Sequence, residues 1–180
     1  METHELVPHP AFAPFAVRRV RAGVVAHDAR WLVLRWRIEG TEALVIPPLA
    51  GEGRADGLWR ETCFEMFLWP AGKPGYAEFN LSPSERWAAY DFTARREGMA
   101  ERPVSPMPVL SWRPGRAFSL FDAAIPASAL PPLPAGFSLT AVLEEDGGRK
   151  SYWAVHHPGA APDFHDPACA AGMLAAPLVP

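Results

Sequence analysis

The sequence predicts an all-β fold, an antiparallel sandwich or barrel, on three observations. Apolar residues alternate with period two in several segments, as half-buried strands require. Prolines, 21 among 180 residues, are spread throughout and leave few stretches long enough for a helix of ordinary length. Gly- and Pro-rich turn signals separate the alternating segments.

The first strand read with confidence of pattern is "WLVLRWRI" at 31–38, with Leu32, Leu34, Trp36 and Ile38 on one face. Next comes "GLWRETCFEMFLWP" at 57–70. Thr62, Phe64, Met66 and Leu68 point one way, and Cys63, Glu65, Phe67 and Trp69 the other. After the turn "PAGKPG", the segment "YAEFNLSPSERWAAYDF" at 76–92 puts Tyr76, Glu78 and Asn80 on one face. The two segments are expected to pair as a hairpin sharing aromatic and polar groups on one surface. The stretch at 93–108 is read as a turn of helix followed by extended backbone at "RPVSPMP". Strands follow at "RAFSLFDAAI" (116–125), "GFSLTAVLEE" (136–145) and "KSYWAV" (150–155). A proline-rich connection with one helical turn at "ASAL" links the first two, and the "DGG" of "EEDGGRK" turns the chain between the last two.

Composition narrows the function. A chain of 180 residues suits a single domain over 1–180, large enough to bury about 70% of its unfolded surface. A net charge of −3 offers no general basic field for nucleic acid. No apolar run reaches the ~20 residues that span a bilayer. No basic start followed by an apolar core opens the chain, so the cytoplasm is the expected compartment and Cys63 and Cys169 are expected as free thiols. The sequence sets no oligomeric state. Motifs for serine hydrolases, P-loop enzymes, dinucleotide binding and zinc proteases are missing.

The order "LWRETCFEMFL", "YAEFNLSPSERWAAYDF", "REGM" and "SYWAVHHPGAAPDFH" resembles the bacterial DOMON-like proteins. These are related to the family 9 carbohydrate-binding modules and to DOMON haem- and sugar-binding domains. The resemblance runs from about Trp59 to His165. It implies a jelly-roll-like β-sandwich with a ligand face on one sheet.

Candidate site residues are weighed against structural roles. Glu65 leaves an aromatic face, where a carboxylate sits well only at a pocket edge or beside a cation such as Arg96. Asn80 can bind a ligand or, with Ser82 before Pro83, cap a turn. Trp59, at a loop-to-strand junction after Gly57, can plug the fold or stack on the apolar face of a sugar. Trp87 and Trp153 alternate within strands and are read as core. The cluster "HHPGAAPDFHD" carries His156, His157, Asp163, His165 and Asp166, types suited to a divalent metal, to a polar ligand or to locking a loop. "PDFH" is expected to fold back onto the face of the "TCFE" strand. Haem would need a His–Met or His–His pair. Met66 reads as core, Met99 and Met107 lie in the proline-rich crossing, and no CxxCH exists.

The expected function is therefore a non-catalytic module binding a sugar or sugar-like polar metabolite through Trp59, Glu65, Asn80, Arg96, His157, Asp163 and His165. No cofactor is expected. The alternatives are a protein-interaction or structural module without small ligand, and a metal- or haem-binding protein.

Overall fold

The computed structural model describes residues 2–177. Among the described residues thirteen strands follow one another: β1 (Glu2–Pro8), β2 (Arg19–His27), β3 (Trp31–Glu39), β4 (Gly53–Arg54), β5 (Cys63–Pro70), β6 (Tyr76–Leu81), β7 (Arg86–Phe92), β8 (Ala100–Glu101), β9 (Val109–Arg113), β10 (Ser119–Pro126), β11 (Ala135–Glu145), β12 (Arg149–Ala154) and β13 (Gly172–Leu174). Among the described residues the only helical pieces are three single 3-10 turns. One of them, Ala127–Ala129, is the turn expected at "ASAL". The helical turn expected within 93–108 does not form. The chain makes a tight reversal with an Ala94–Glu97 bridge and then the short β8.

All strands belong to one curled sheet in the order β4-β7-β6-β5-β11-β12-β1-β2-β3-β10-β9, with β8 on β7 and β13 on β11. The pairing is mixed, not wholly antiparallel, because β4 runs parallel to β7 with Gly53 opposite Arg86. Strand β1 joins two limbs. Its first part pairs with β2, and Val7 and Pro8 pair with Ala154 and Trp153 of β12. The hairpin of β5 and β6 has the expected faces, with Glu65 opposite Asn80 and Phe67 opposite Glu78.

The alternation explains the curl. Leu32, Leu34, Trp36 and Ile38 of β3 are fully buried and pack in one core with Phe64, Met66 and Leu68 of β5 and Phe121, Ala123 and Ile125 of β10. Phe64 stacks on Phe121 from the other limb, ring centroids 4.3 Å apart. The buried Trp36 indole N–H donates to the Thr140 carbonyl, 3.1 Å away, closing a polar group that would otherwise be costly. Trp87 and Trp153 are in this core, as expected. Between β11 and β12, Gly147 and Gly148 both have positive φ, 80° and 75°, in a three-residue turn that the Gly148 N–H closes on the Glu145 carbonyl at 3.1 Å.

The opposite faces of the two limbs differ. On the β5-β6-β7 limb a second apolar layer forms from Phe67, Tyr76, Tyr90, Phe92 and Val142, with Phe164 from the C-terminal segment packed into it. This is the return of "PDFH" to the "TCFE" face. Phe67 lies 6.5 Å from Phe164 and 5.2 Å from His165 between ring centroids. Cys63 and Cys169 are separate buried thiols.

Candidate functional site

A cavity of about 390 Å³ opens in this second layer. Its floor is the sheet. Glu65 comes from β5, Glu78 from β6, Tyr90 and Phe92 from β7 and Val142 from β11. Its walls are loops: the turn carrying Trp59, the reversal carrying Arg96 and Met99, and the segment carrying Pro162, Phe164 and His165, beside Tyr152 of β12.

Each wall residue is set by local backbone. Gly57 takes φ 74°, which a β-carbon would disfavour, and starts the 3-10 turn Leu58–Arg60. That turn leaves Trp59 43% exposed. Arg96 itself takes φ 59°, a left-handed conformation costing a non-glycine residue about 1–2 kcal/mol. The turn holds because the Arg96 backbone N–H donates to the Tyr76 hydroxyl oxygen at 3.1 Å. The Tyr76 hydroxyl proton is then free to go to His165 Nδ1, 2.6 Å away.

The floor carries two carboxyl groups that share little support. Glu65 is 4% exposed, and among the described residues its one hydrogen bond comes from the Thr140 hydroxyl at 3.4 Å. Burial, and then the charge of Glu78, push its pKa well above the ordinary value. Glu78 accepts a 2.8 Å hydrogen bond from the Asn80 amide. Burial nevertheless raises it to about 7, against the lowering effects of Asn80 and Arg96. His165 Nδ1 lies 3.8 Å from Glu78, too far for a hydrogen bond. Burial, then the Arg96 charge, lower His165 to about 4, so at neutral pH it is an uncharged acceptor for Tyr76.

The seven predicted residues separate into two groups. Trp59, Glu65, Arg96 and His165 line the cavity together. Asn80, Asp163 and His157 do not. Asn80 is fully buried beside the floor, oriented toward Glu78. Asp163 stands behind Arg96. It accepts from Arg96 at 3.0 and 3.2 Å and from Arg95 as well. Burial would raise the Asp163 pKa, but the two arginines more than reverse this and lower it. The cation expected beside Glu65 is thus paired with Asp163. His157 ties the segment after β12 to β1, its Nε2–H donating to the Val7 carbonyl at 2.9 Å.

The histidine-rich segment does not converge. Asp166 caps the turn Pro167–Cys169 and pairs with Arg95, while His156 is exposed. Among the described residues, no group of three or more His, Cys, Asp or Glu side chains is placed to hold a metal ion. Met66 is core, Met99 is at the cavity rim, and Met107 lies outside it.

Tyr90, Phe92 and Tyr152 line the cavity outside the seven predicted residues. Their period-two positions in "WAAYDF" and "KSYWAV" place them on the outward face, which is the available signal. Glu78, on the face of Asn80, also lines it outside the seven. Nothing local in the sequence marks Val142 or Pro162.

No protein-family model matches the sequence, and no curated protein matches it. The fold is shared with a candidate carbohydrate-binding protein from Bacteroides uniformis. The TM-score is 0.67 at 22% identity, over 97% of this chain and 85% of that one. A family 9 carbohydrate-binding module from Caldicellulosiruptor kristjanssonii, in complex with glucose, is similar at TM-score 0.49 and 11% identity, over 83% of this chain and 73% of that one. Among the described residues no helix is long and apolar enough to cross a membrane.

Proposed function

We propose that this chain is a single-domain, non-catalytic binding module of the DOMON-like, jelly-roll sandwich type, and that its cavity holds a sugar or sugar-like polar metabolite. One observation carries the reading: an exposed indole and two buried carboxyl groups share one open, aromatic-walled cavity. An indole platform packs on the C–H face of a sugar ring, and buried carboxyl oxygens accept from its hydroxyls more strongly than water does. Trp59 is the platform. Glu65 and Glu78 are the acceptors, Arg96 donates from the rim, and His165 orients the ligand through the Tyr76 contact. Asn80 and Asp163 act indirectly, by positioning Glu78 and Arg96. The fold shared with the Bacteroides uniformis protein supports the same reading. The buried unpaired thiols suit a reducing compartment such as the cytoplasm.

The test is calorimetric titration of a panel of mono- and disaccharides into the wild type, Trp59→Ala and Glu65→Gln, each checked by thermal melting. The expected result is saturable binding to the wild type, weakened about tenfold or more in both variants with folding intact. Binding that survives both substitutions, or no binding of any sugar, overturns the reading.

A further inference from the structure

The cavity floor carries two buried carboxyl groups that, among the described residues, no arginine or lysine contacts in an ion pair. Glu65 and Glu78 leave adjacent strands on the same face, diagonal to one another in the register that sets Glu65 opposite Asn80 and Phe67 opposite Glu78. Glu65 is nearly sealed yet lines the cavity, and among the described residues its hydrogen bond is the 3.4 Å contact from the Thr140 hydroxyl to Oε2. Against burial, which raises the pKa of both carboxyl groups, Arg96 lowers it through its charge, but it pairs with neither. Arg96 is engaged by Asp163, and Arg95 by Asp163 and Asp166, so these two arginines and two aspartates balance among themselves. His165 is bonded to Tyr76 as a neutral ring.

The surroundings of this pair are aromatic. Trp59, Tyr90, Phe92, Tyr152 and Phe164 all line the same cavity. Aromatic ring faces carry negative potential and attract cations, most strongly where water is excluded. An aromatic enclosure ending on two carboxyl groups that have neutral hydrogen-bond donors but no arginine or lysine partner has the chemistry of a site for an ammonium group. A neutral polyol leaves the repulsion between Glu65 and Glu78 to be relieved by a retained proton, which their raised pKa values favour. A ligand ammonium relieves it with both groups ionised and supplies N–H donors to Glu65, whose hydrogen bond among the described residues is the 3.4 Å contact from Thr140.

We infer that the ligand carries a positively charged ammonium group, seated between the Glu65 and Glu78 carboxylates and enclosed by the aromatic walls, as in an amino sugar. This rests on the reading of the cavity as a ligand site and narrows the class of ligand. Trp59 takes the ring face, Glu65 and Glu78 take the ammonium, and Arg96 remains at the rim for a hydroxyl.

Calorimetry near neutral pH with glucosamine, glucose, N-acetylglucosamine and tetramethylammonium tests the inference. Glucosamine is expected to bind about tenfold or more tighter than glucose or N-acetylglucosamine. In Glu65→Gln, and separately in Glu78→Gln, that preference is expected to fall toward unity, with thermal melts confirming folded protein. Equal or tighter binding of the neutral sugars overturns the inference and leaves the sugar-binding reading standing. Binding of tetramethylammonium with no sugar bound supports the cation site and overturns the sugar reading. No binding of any of the four overturns both.

Discussion

Two regions of this molecule bury glutamate, and they do so in opposite ways. At the end of β11, Glu145 is fully buried and accepts three backbone N–H groups, from Phe15 at 2.7 Å, Ala16 at 2.5 Å and Val17 at 3.0 Å. Its two oxygens fasten the loop before β2 to the sheet. On the cavity floor, Glu65 and Glu78 are almost as deeply buried, but they have one weak and one good donor and each other's charge. Burial of a charge therefore does not by itself mark a site. What separates an anchor from a candidate site is whether the protein supplies the donors. Glu145 is a completed contact. Glu65 and Glu78 form an incomplete one facing open space.

The contrast fixes the sign of matched substitutions. The largest effect is expected for Glu145→Gln. An amide nitrogen then faces backbone N–H groups, and at least one buried donor loses its acceptor, for a loss of roughly 3–4 kcal/mol in urea or thermal unfolding. Stability unchanged in this variant would remove the distinction between the two regions.

Glu78→Gln is expected to move stability the other way. In the unfolded chain the Glu78 carboxyl ionises near its ordinary 4.5, and in the folded protein near 7. Between these values the folded state holds a proton that the unfolded state has lost, so stability falls as pH rises across that window. The full cost stands above it. The amide removes this cost, so Glu78→Gln is expected to gain up to about 3 kcal/mol near pH 8, fading to nothing below about pH 4.5. Glu65 contributes in the same direction. Melting curves across that pH range check the sign, and a destabilised Glu78→Gln at pH 8 would place Glu78 with Glu145 as an anchor.

The smallest effect sharpens the boundary of the site. Trp59→Ala is expected to cost about 1 kcal/mol or less, because the indole is 43% exposed on a 3-10 turn. Trp153→Ala, at 2% exposure in the core, is expected to cost about 3–5 kcal/mol. Equal shifts in melting temperature would make Trp59 a structural plug and take the platform from the cavity.

The limbs differ outside the cavity too. The exposed face of β2, β3, β9 and β10 carries arginines that share carboxylates. Arg35 and Arg113 meet on Asp122, and Arg21 and Arg37 on Glu39. The four arginine side chains stay partly exposed and paired, which is why the strand pattern alone reads correctly there. On the cavity face the same alternation places Glu65 and Glu78 under loops, and solvation is lost.

The sequence by itself determined the strands β3, β5, β6, β10, β11 and β12, though not β1, β2, β4, β8, β9 or β13, and with them the faces of β3, β5 and β6, the β11–β12 turn and the return of Phe164 to the β5 face. Period-two alternation and glycine at positive φ are local consequences of backbone geometry, so a linear reading finds them. It also brought forward Trp59, Glu65, Arg96 and His165, because polar or exposed-type residues beside aromatic positions stand out in such a pattern. Tertiary structure alone decided the rest. It chose Asp163 over Glu65 as the partner of Arg96, gave His157 to Val7 and set Asn80 beside Glu78. It also added the parallel β4 and gave Glu145 its three donors from a loop some 130 residues away. Hydrogen-bond and charge partners are selected by distance in space, and the strand pattern does not encode which loop arrives above which face.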